Sequence, residues 1–174
     1  DESHPCQILA DLMTYQEQKG TIQGKKIAWI GDGCNVCQTY MQAAEIFNFE
    51  LSIATPIDYG PSEVFVQKYK KNINFSESPM DACKDADIVV TDVWTSMGQE
   101  SEKKQRERSF QGFQVNQLMM NQAKDNAVFM HCPPAYRGKE VSAEVIDGSQ
   151  SVVWSEAENR LHAQKSLLLY LIEG

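Results

Sequence analysis

His131-Cys132-Pro133-Pro134 follows the apolar run Val128–Met130. A sulfur in a proline-stiffened turn at a strand end is placed to touch a ligand. The alternative is a buried inert thiol, since free cysteine is among the most buried residue types. Asp92 ends another apolar run and opens Asp92-Val93-Trp94-Thr95-Ser96-Met97-Gly98. Its carboxylate can anchor an ammonium, Ser96 and exposed backbone can complete the hydrogen bonds, and Gly98 lets the loop bend. Read alone, Asp92 is better taken as a strand-to-loop cap.

Gly31-Asp32-Gly33-Cys34-Asn35-Val36 begins like a dinucleotide fingerprint, but Val36 stands where the third glycine would allow close helix packing beneath a pyrophosphate. The stretch reads as a turn that presents Asn35 to a ligand; a glycine turn needed for backbone conformation alone is the other reading. Cys34 and Cys37 also form a C-x-x-C at a helix start, where a thiol pKa would fall. The flanks of a redox motif are missing, and no second cysteine pair or spaced histidine pair offers zinc ligands. His4-Pro5-Cys6-Gln7 opens a helix whose free N–H groups suit an anion or a polarised carbonyl, or are simply capped. Arg160, within Glu158-Asn159-Arg160-Leu161-His162, suits a phosphate, or lies on a solvated helix face.

Alternating elements must position these groups. Helical spacing predicts helices over 6–19, 36–47, 61–71, 79–84, 115–123 and 141–146, and from Ser155 or Glu156 to the end. Short apolar runs predict strands over 27–30, 51–55, 73–75, 88–92 and 128–131, with a weak edge strand over 151–154. The pattern is that of a single α/β domain, a doubly wound, Rossmann-like parallel sheet with helices on both faces, whose ligand lies at the C-terminal strand edges. Between Thr95 and Gln111 charges crowd and only Met97 and Phe110 are large and apolar. That segment is either an exposed helix or a lid.

Composition narrows the partners. The 174 residues carry 16 Lys and Arg against 24 Asp and Glu, a net charge of −8, which argues against general nucleic-acid binding. No apolar run is long enough to cross a membrane. Five cysteines, an odd number, fit reduced thiols and a cytoplasmic setting better than a disulfide framework. The polar start is unlike a signal peptide, and without a leading Met the chain is expected to be part of a larger protein, cut on its N-terminal side.

Taken in order, HPCQ (4–7), GDGCNV (31–36), DVWTSMGQE (92–100), FQVN (113–116), FMHCPPAYRG (129–138) and SEAENRLHAQK (155–165) closely resemble the ornithine carbamoyltransferase branch of the aspartate/ornithine carbamoyltransferase family. The resemblance spans essentially the whole chain. It implies transfer of the carbamoyl group of carbamoyl phosphate to the δ-amine of L-ornithine, giving L-citrulline and phosphate, with no metal or organic cofactor. It also implies a place in arginine metabolism and amino-acid biosynthesis, and a homotrimer or a multiple of one.

By the same resemblance, Cys132, Asp92 and His4 are the expected catalytic groups. Asn35, Asp92, Ser96 and Met97 would hold ornithine. His4, Gln7, Cys132, Pro133 and Arg160 would hold carbamoyl phosphate. Residues 1–174 would be the ornithine-binding domain, with 1–20 a linking helix region and the N-terminal carbamoyl phosphate domain absent. Such a piece is expected to be inactive alone. Pro133 replaces the family's usual Leu, and Cys34-Asn35 keeps only the second residue of a common Asn pair. Two other classes stay open: a redox or dinucleotide-binding module using Cys34, Cys37, Gly31 and Gly33, and a catalytically silent paralogue of the family.

Overall fold

Apolar runs bounded by glycine, proline and asparagine become parallel strands. A computed structural model describes residues 2–95 and 100–173. Its strands are β1 (Lys26–Ile30), β2 (Glu50–Ala54), β3 (Ile73–Phe75), β4 (Ile88–Thr91) and β5 (Val128–His131). They form one all-parallel sheet in the order β3-β2-β1-β4-β5. The helices are α1 (Pro5–Lys19), α2 (Asn35–Phe47), α3 (Glu63–Lys68), α4 (Pro79–Cys83), α5 (Lys103–Ser109), α6 (Gln117–Met120), α7 (Ala143–Ile146) and α8 (Val153–Glu173).

Alternation along the strands divides the core in two, because successive side chains point to opposite faces. Ile27, Trp29, Leu51, Ile53, Ile88, Val90, Val128 and Met130 pack with α1 and α2 on one face. Ala28, Ile30, Ala54, Val89 and Phe129 pack with α4, α6 and α7 on the other. Both faces are covered, which is the doubly wound arrangement the sequence predicts. α1 starts with Pro5 in its first turn and stops at Gly20, whose φ of 86° few other residues adopt comfortably. It packs chiefly along α8 and buries Ile8 and Tyr15, so residues 5–19 are integral to the core. Among the described residues no helix is long and apolar enough to cross a membrane.

The order reverses beside β1: the chain winds outward to β2 and β3, then returns to place β4 on the other side. The switch point therefore lies between β1 and β4, and the crevice at their C-terminal ends is where such a sheet takes its ligand.

Several elements differ from the sequence reading. The helix expected over 61–71 is only Glu63–Lys68, because Gly60 and Pro61 are packed against Gly33. The helix expected over 115–123 begins at Gln117, since Val115 bridges to Val141 instead. Residues 151–154 are not a strand. Ser151 makes one isolated bridge to Phe129, and α8 begins at Val153. The charge-rich segment is helical, with a 3-10 turn over Glu100–Glu102 leading into α5.

Candidate active site

The crevice is lined first by strand ends. Thr91 pairs in register with His131, so Asp92 and Cys132 leave adjacent strands side by side. From the β1 side, the Cys34 thiol lies 3.6 Å from Asp92 Oδ2 and donates to it, while the Val93 N–H donates to Asp92 Oδ1 at 2.7 Å. Burial lifts the Asp92 carboxyl to about 6, opposed by the Val93 N–H, the His131 ring and the Cys34 thiol. At neutral pH it is mainly a carboxylate, able to attract an ammonium. Burial, then the charges of Asp92, Asp11 and Glu156, pushes the half-buried Cys132 thiol far above its ordinary range, and Arg160 only partly opposes them. Cys132 therefore faces the crevice as a protonated S–H and not as a thiolate nucleophile.

His4 and Asn35 meet through one hydroxyl. The His4 backbone N–H donates to Thr39 Oγ1 at 2.7 Å, and that hydroxyl donates to the Asn35 carbonyl at 2.7 Å. Both residues are half-buried at helix starts, where free N–H groups favour negative charge. Burial and the Arg160 charge hold the His4 imidazole below the usual histidine range. At neutral pH it is an uncharged ring, suited to donating one hydrogen bond.

Arg160 arrives from α8. Its Nη1 donates to the Gln7 side-chain oxygen at 2.5 Å. Gln7 is fully buried, and its amide nitrogen donates to Asp11 Oδ1 and Glu156 Oε1, both at 2.8 Å. Expected as a carbamoyl phosphate ligand, Gln7 stands in this structure behind Arg160 and holds it. Glu156 Oε2 accepts the His131 N–H at 2.9 Å, which joins the network to the Cys132 turn. The His131 ring fixes that turn from the other side. Nδ1 lies 2.8 Å from the Cys132 carbonyl and Nε2 3.1 Å from Glu140 Oε1. Pro133 is exposed in the bend that follows, and its peptide bond to Pro134 is cis.

The β1 turn is packed too tightly for a pyrophosphate. A Cβ on Gly33 would sit 2.2 Å from Gly60 C and Pro61 N, so the space a dinucleotide would use is filled by backbone. The C-x-x-C reading also fails on physical grounds. Burial and the Asp92 charge raise Cys34, and burial raises Cys37, so the helix-terminus effect is overwhelmed and neither thiol is activated. Asp32 is occupied by Arg106 of α5, which donates to its carboxylate and to the Trp94 carbonyl. The Arg106 guanidinium lies 4.7 Å from the Tyr59 ring centroid and 5.4 Å from that of Phe110. The charge run thus hides one buried cation that straps α5 to the β1 turn.

Of the predicted residues, His4, Asn35, Asp92, Cys132 and Arg160 are tied into this rim, while Ser96 and Met97 lie outside the described residues. Sequence reasoning missed Asp11, Glu156, Arg106, Asp32 and the His131–Glu140 pair. Spacing carried one signal: Gln7 and Asp11, and Glu156 and Arg160, are each four apart on a helix and so share a face. Among the described residues no group of His, Cys, Asp and Glu is arranged to hold a metal ion.

Comparison with known proteins shows the family and the fold. A family model described as aspartate/ornithine carbamoyltransferase, Asp/Orn binding domain, matches residues 23–171. An ornithine carbamoyltransferase of Ruthia magnifica subsp. Calyptogena magnifica is 61% identical over 172 residues, covering 99% of this chain and 58% of the relative. Among solved structures, ornithine carbamoyltransferase from Burkholderia thailandensis E264 superposes with a TM-score of 0.89 at 46% identity, covering 98% of this chain and 55% of that one. The enzyme from Pyrococcus furiosus gives a TM-score of 0.90 at 46% identity, covering 97% and 56%. The chain therefore spans under three-fifths of the relatives it matches.

Proposed function

This chain belongs to the aspartate/ornithine carbamoyltransferase family, through its Asp/Orn-binding domain, and on that premise we propose that it supplies the amino-acid-binding half of an ornithine carbamoyltransferase. The observation that carries the reading is the meeting of Asp92, Cys132, His4, Asn35 and Arg160 at one sheet edge. In the proposed reaction the neutral δ-amine of L-ornithine attacks the carbamoyl carbon of carbamoyl phosphate. The C–N bond forms, the C–O bond to phosphate breaks, and the amine proton leaves with phosphate, giving L-citrulline. Barrier lowering comes from orientation of the two substrates and from donors aimed at the developing oxyanion and the leaving group.

Arg160, His4, Asp92 and Cys132 have parts that their environments support. Arg160 commits Nη1 to Gln7, which leaves other guanidinium donors for the phosphate end. His4, held uncharged by burial and by Arg160, donates to the carbamoyl oxygen. Asp92 and Asn35, with Ser96 and Met97, hold the amino-acid end of ornithine. Cys132 keeps its proton and stands between the two substrates, while the Pro133 backbone orients the carbamoyl amide. We further propose that the segment of the relatives beyond this match supplies the rest of the phosphate site, that the working unit is a cytoplasmic homotrimer or a multiple of it, and that it serves arginine metabolism.

The test joins this chain to the unmatched segment of the Ruthia magnifica relative and follows citrulline with both substrates present. The completed polypeptide is expected to turn over and the chain alone to be silent. Absence of citrulline from a folded, completed polypeptide would overturn the proposal. Unchanged kinetics in both Cys132→Ala and Asp92→Ala would remove the site assignment and leave the silent-paralogue reading.

A further inference from the structure

Asp11 and Glu156 are two buried carboxyls that the reaction above does not use. Both are almost fully shielded, at 3% and 0% exposure, and they come from different helices, α1 and α8. Every carboxyl oxygen meets one donor. Tyr40 O–H lies 2.7 Å from Asp11 Oδ2, Gln7 Nε2 reaches Asp11 Oδ1 and Glu156 Oε1, and the His131 N–H reaches Glu156 Oε2. Among the described residues neither carboxyl has a lysine or arginine within ion-pair distance.

Two negative charges side by side, sealed from water and without a contacting cation, are far costlier than a pair that keeps one proton. We infer that Asp11 and Glu156 act as one carboxyl pair sharing a single proton, and that this pair positions Gln7, and through it Arg160, together with the His131–Cys132 peptide. The importance of Arg160 and Cys132 rests on the proposed carbamoyltransferase function; the shared proton does not.

The geometry makes Gln7 directional. Its nitrogen lies between two acceptor oxygens and its oxygen faces a guanidinium, so a flipped amide would set N–H against N–H and oxygen against oxygen. Loss of the acidic pair removes what enforces that orientation. The titration state of the pair is set by everything facing it. Burial raises both carboxyls first; Asp11 and then Asp92 add to the rise of Glu156, which the His131 N–H opposes, while Tyr40, Glu156, Gln7 and Arg160 pull Asp11 down. Asp11 and Glu156 are therefore positioning residues: they hold Gln7 and the His131 N–H, which in turn hold Arg160 and the Cys132 turn.

The test has an arm independent of turnover. In the chain labelled with carbon-13 at Asp and Glu carboxyls, NMR from about pH 4 to about pH 8 should find, besides Asp32 and Asp92, which burial lifts to about 6, one further protonated carboxyl persisting beyond the ordinary Asp and Glu range. That signal should vanish in Glu156→Gln. Ordinary titration of both carboxyls overturns the shared proton. In the completed polypeptide, Glu156→Gln keeps an acceptor for the His131 N–H and turns its N–H to Asp11, so Gln7 Nε2 loses one of its two acceptors and keeps Asp11 Oδ1. That variant's carbamoyl phosphate KM should stay within roughly threefold, while Glu156→Leu raises that KM at least about tenfold with less effect on the ornithine KM. Equal behaviour of the two variants overturns the positioning role. A wild-type polypeptide that makes no citrulline would defeat the proposed function, and the carboxyl titration would still decide this inference; misfolding of the Leu variant leaves the decision with the Gln variant and the titration.

Discussion

Replacing Arg106 by methionine tests whether the charge-rich segment is a strap or a solvated surface helix. In the structure Arg106 is 4% exposed, its guanidinium donates to Asp32 and the Trp94 carbonyl, and it stacks on Tyr59 and Phe110. Burial already lifts Asp32 to about 6 even with Arg106 beside it, and Asp92 adds to the lift. Removing the cation leaves a buried carboxylate uncompensated, a change that costs about 3–5 kcal/mol at alkaline pH. The carboxyl can escape by taking a proton, so the cost must depend on pH. A raised folded-state pKa favours the protonated form: the variant keeps most of its stability below the ordinary carboxylate range and loses it as pH rises through the raised value. Near pH 5, where Asp32 is neutral, only the lost hydrogen bonds and stacking remain, about 1–3 kcal/mol.

Urea denaturation of wild type and Arg106→Met near pH 5 and near pH 8 measures the difference. Groups common to both proteins cancel in the subtraction. Trp29, whose indole N–H donates to the Asp32 carbonyl at 2.9 Å, and Trp94, whose ring lies 5.6 Å from Phe110, report the local environment by fluorescence. Adding Asp32→Asn to Arg106→Met should flatten the pH dependence. A loss below about 1 kcal/mol at alkaline pH, or a loss of equal size at both pH values, would refute the buried ion pair.

Other outcomes follow from the same geometry. In the completed polypeptide Asp92→Asn should raise the ornithine KM at least about tenfold, roughly 1.4 kcal/mol, without a matching change for carbamoyl phosphate. Ornithine affinity of the wild type should fall as pH drops below about 6, because Asp92 then gains a proton; the Asn variant should lack that limb in a KM–pH profile. Gly33→Ala forces a Cβ into the Gly60–Pro61 backbone and should cost about 1–3 kcal/mol in thermal or urea unfolding. Titration of the wild-type chain with NAD should show no binding. Cys34 and Cys132 should react with iodoacetamide more slowly than free cysteine near pH 8, as mass spectrometry of alkylated peptides can follow.

What the sequence discloses depends on how far apart the interacting partners lie. Strand β3 and the core of α1, α2 and β5 were readable because periodicity and local stop signals such as Gly20 act within one turn or one strand. The helix over 61–71 was overestimated because the Gly60–Pro61 backbone is fixed by a glycine far away in sequence. Arg106 looked like one charge in a solvated run, since nothing local reveals a partner 74 positions earlier. The same holds for Gln7. Its motif marks it as part of the site, but its depth behind Arg160 depends on Glu156, 149 residues away. Asp92, Cys132, Asn35 and His4 were legible because they stand where strands end or helices start. A parallel sheet brings such places together whatever the loops contain.

The outer edge of β5 has a bearing on how copies of this chain can associate. The Phe129 N–H donates to the Gln150 carbonyl and its own carbonyl accepts from Val152, both between backbone groups. The Gln150 side-chain amide reaches the Ala127 carbonyl, and a Glu156 carboxylate oxygen takes the His131 N–H. A short irregular stretch and two side chains thus do what another strand would do, without offering a further row of free groups to a foreign chain. Sheet extension at that border is closed, so association on that side must use side-chain surfaces, and the strand delivering the thiol is shielded from recruitment into aggregates.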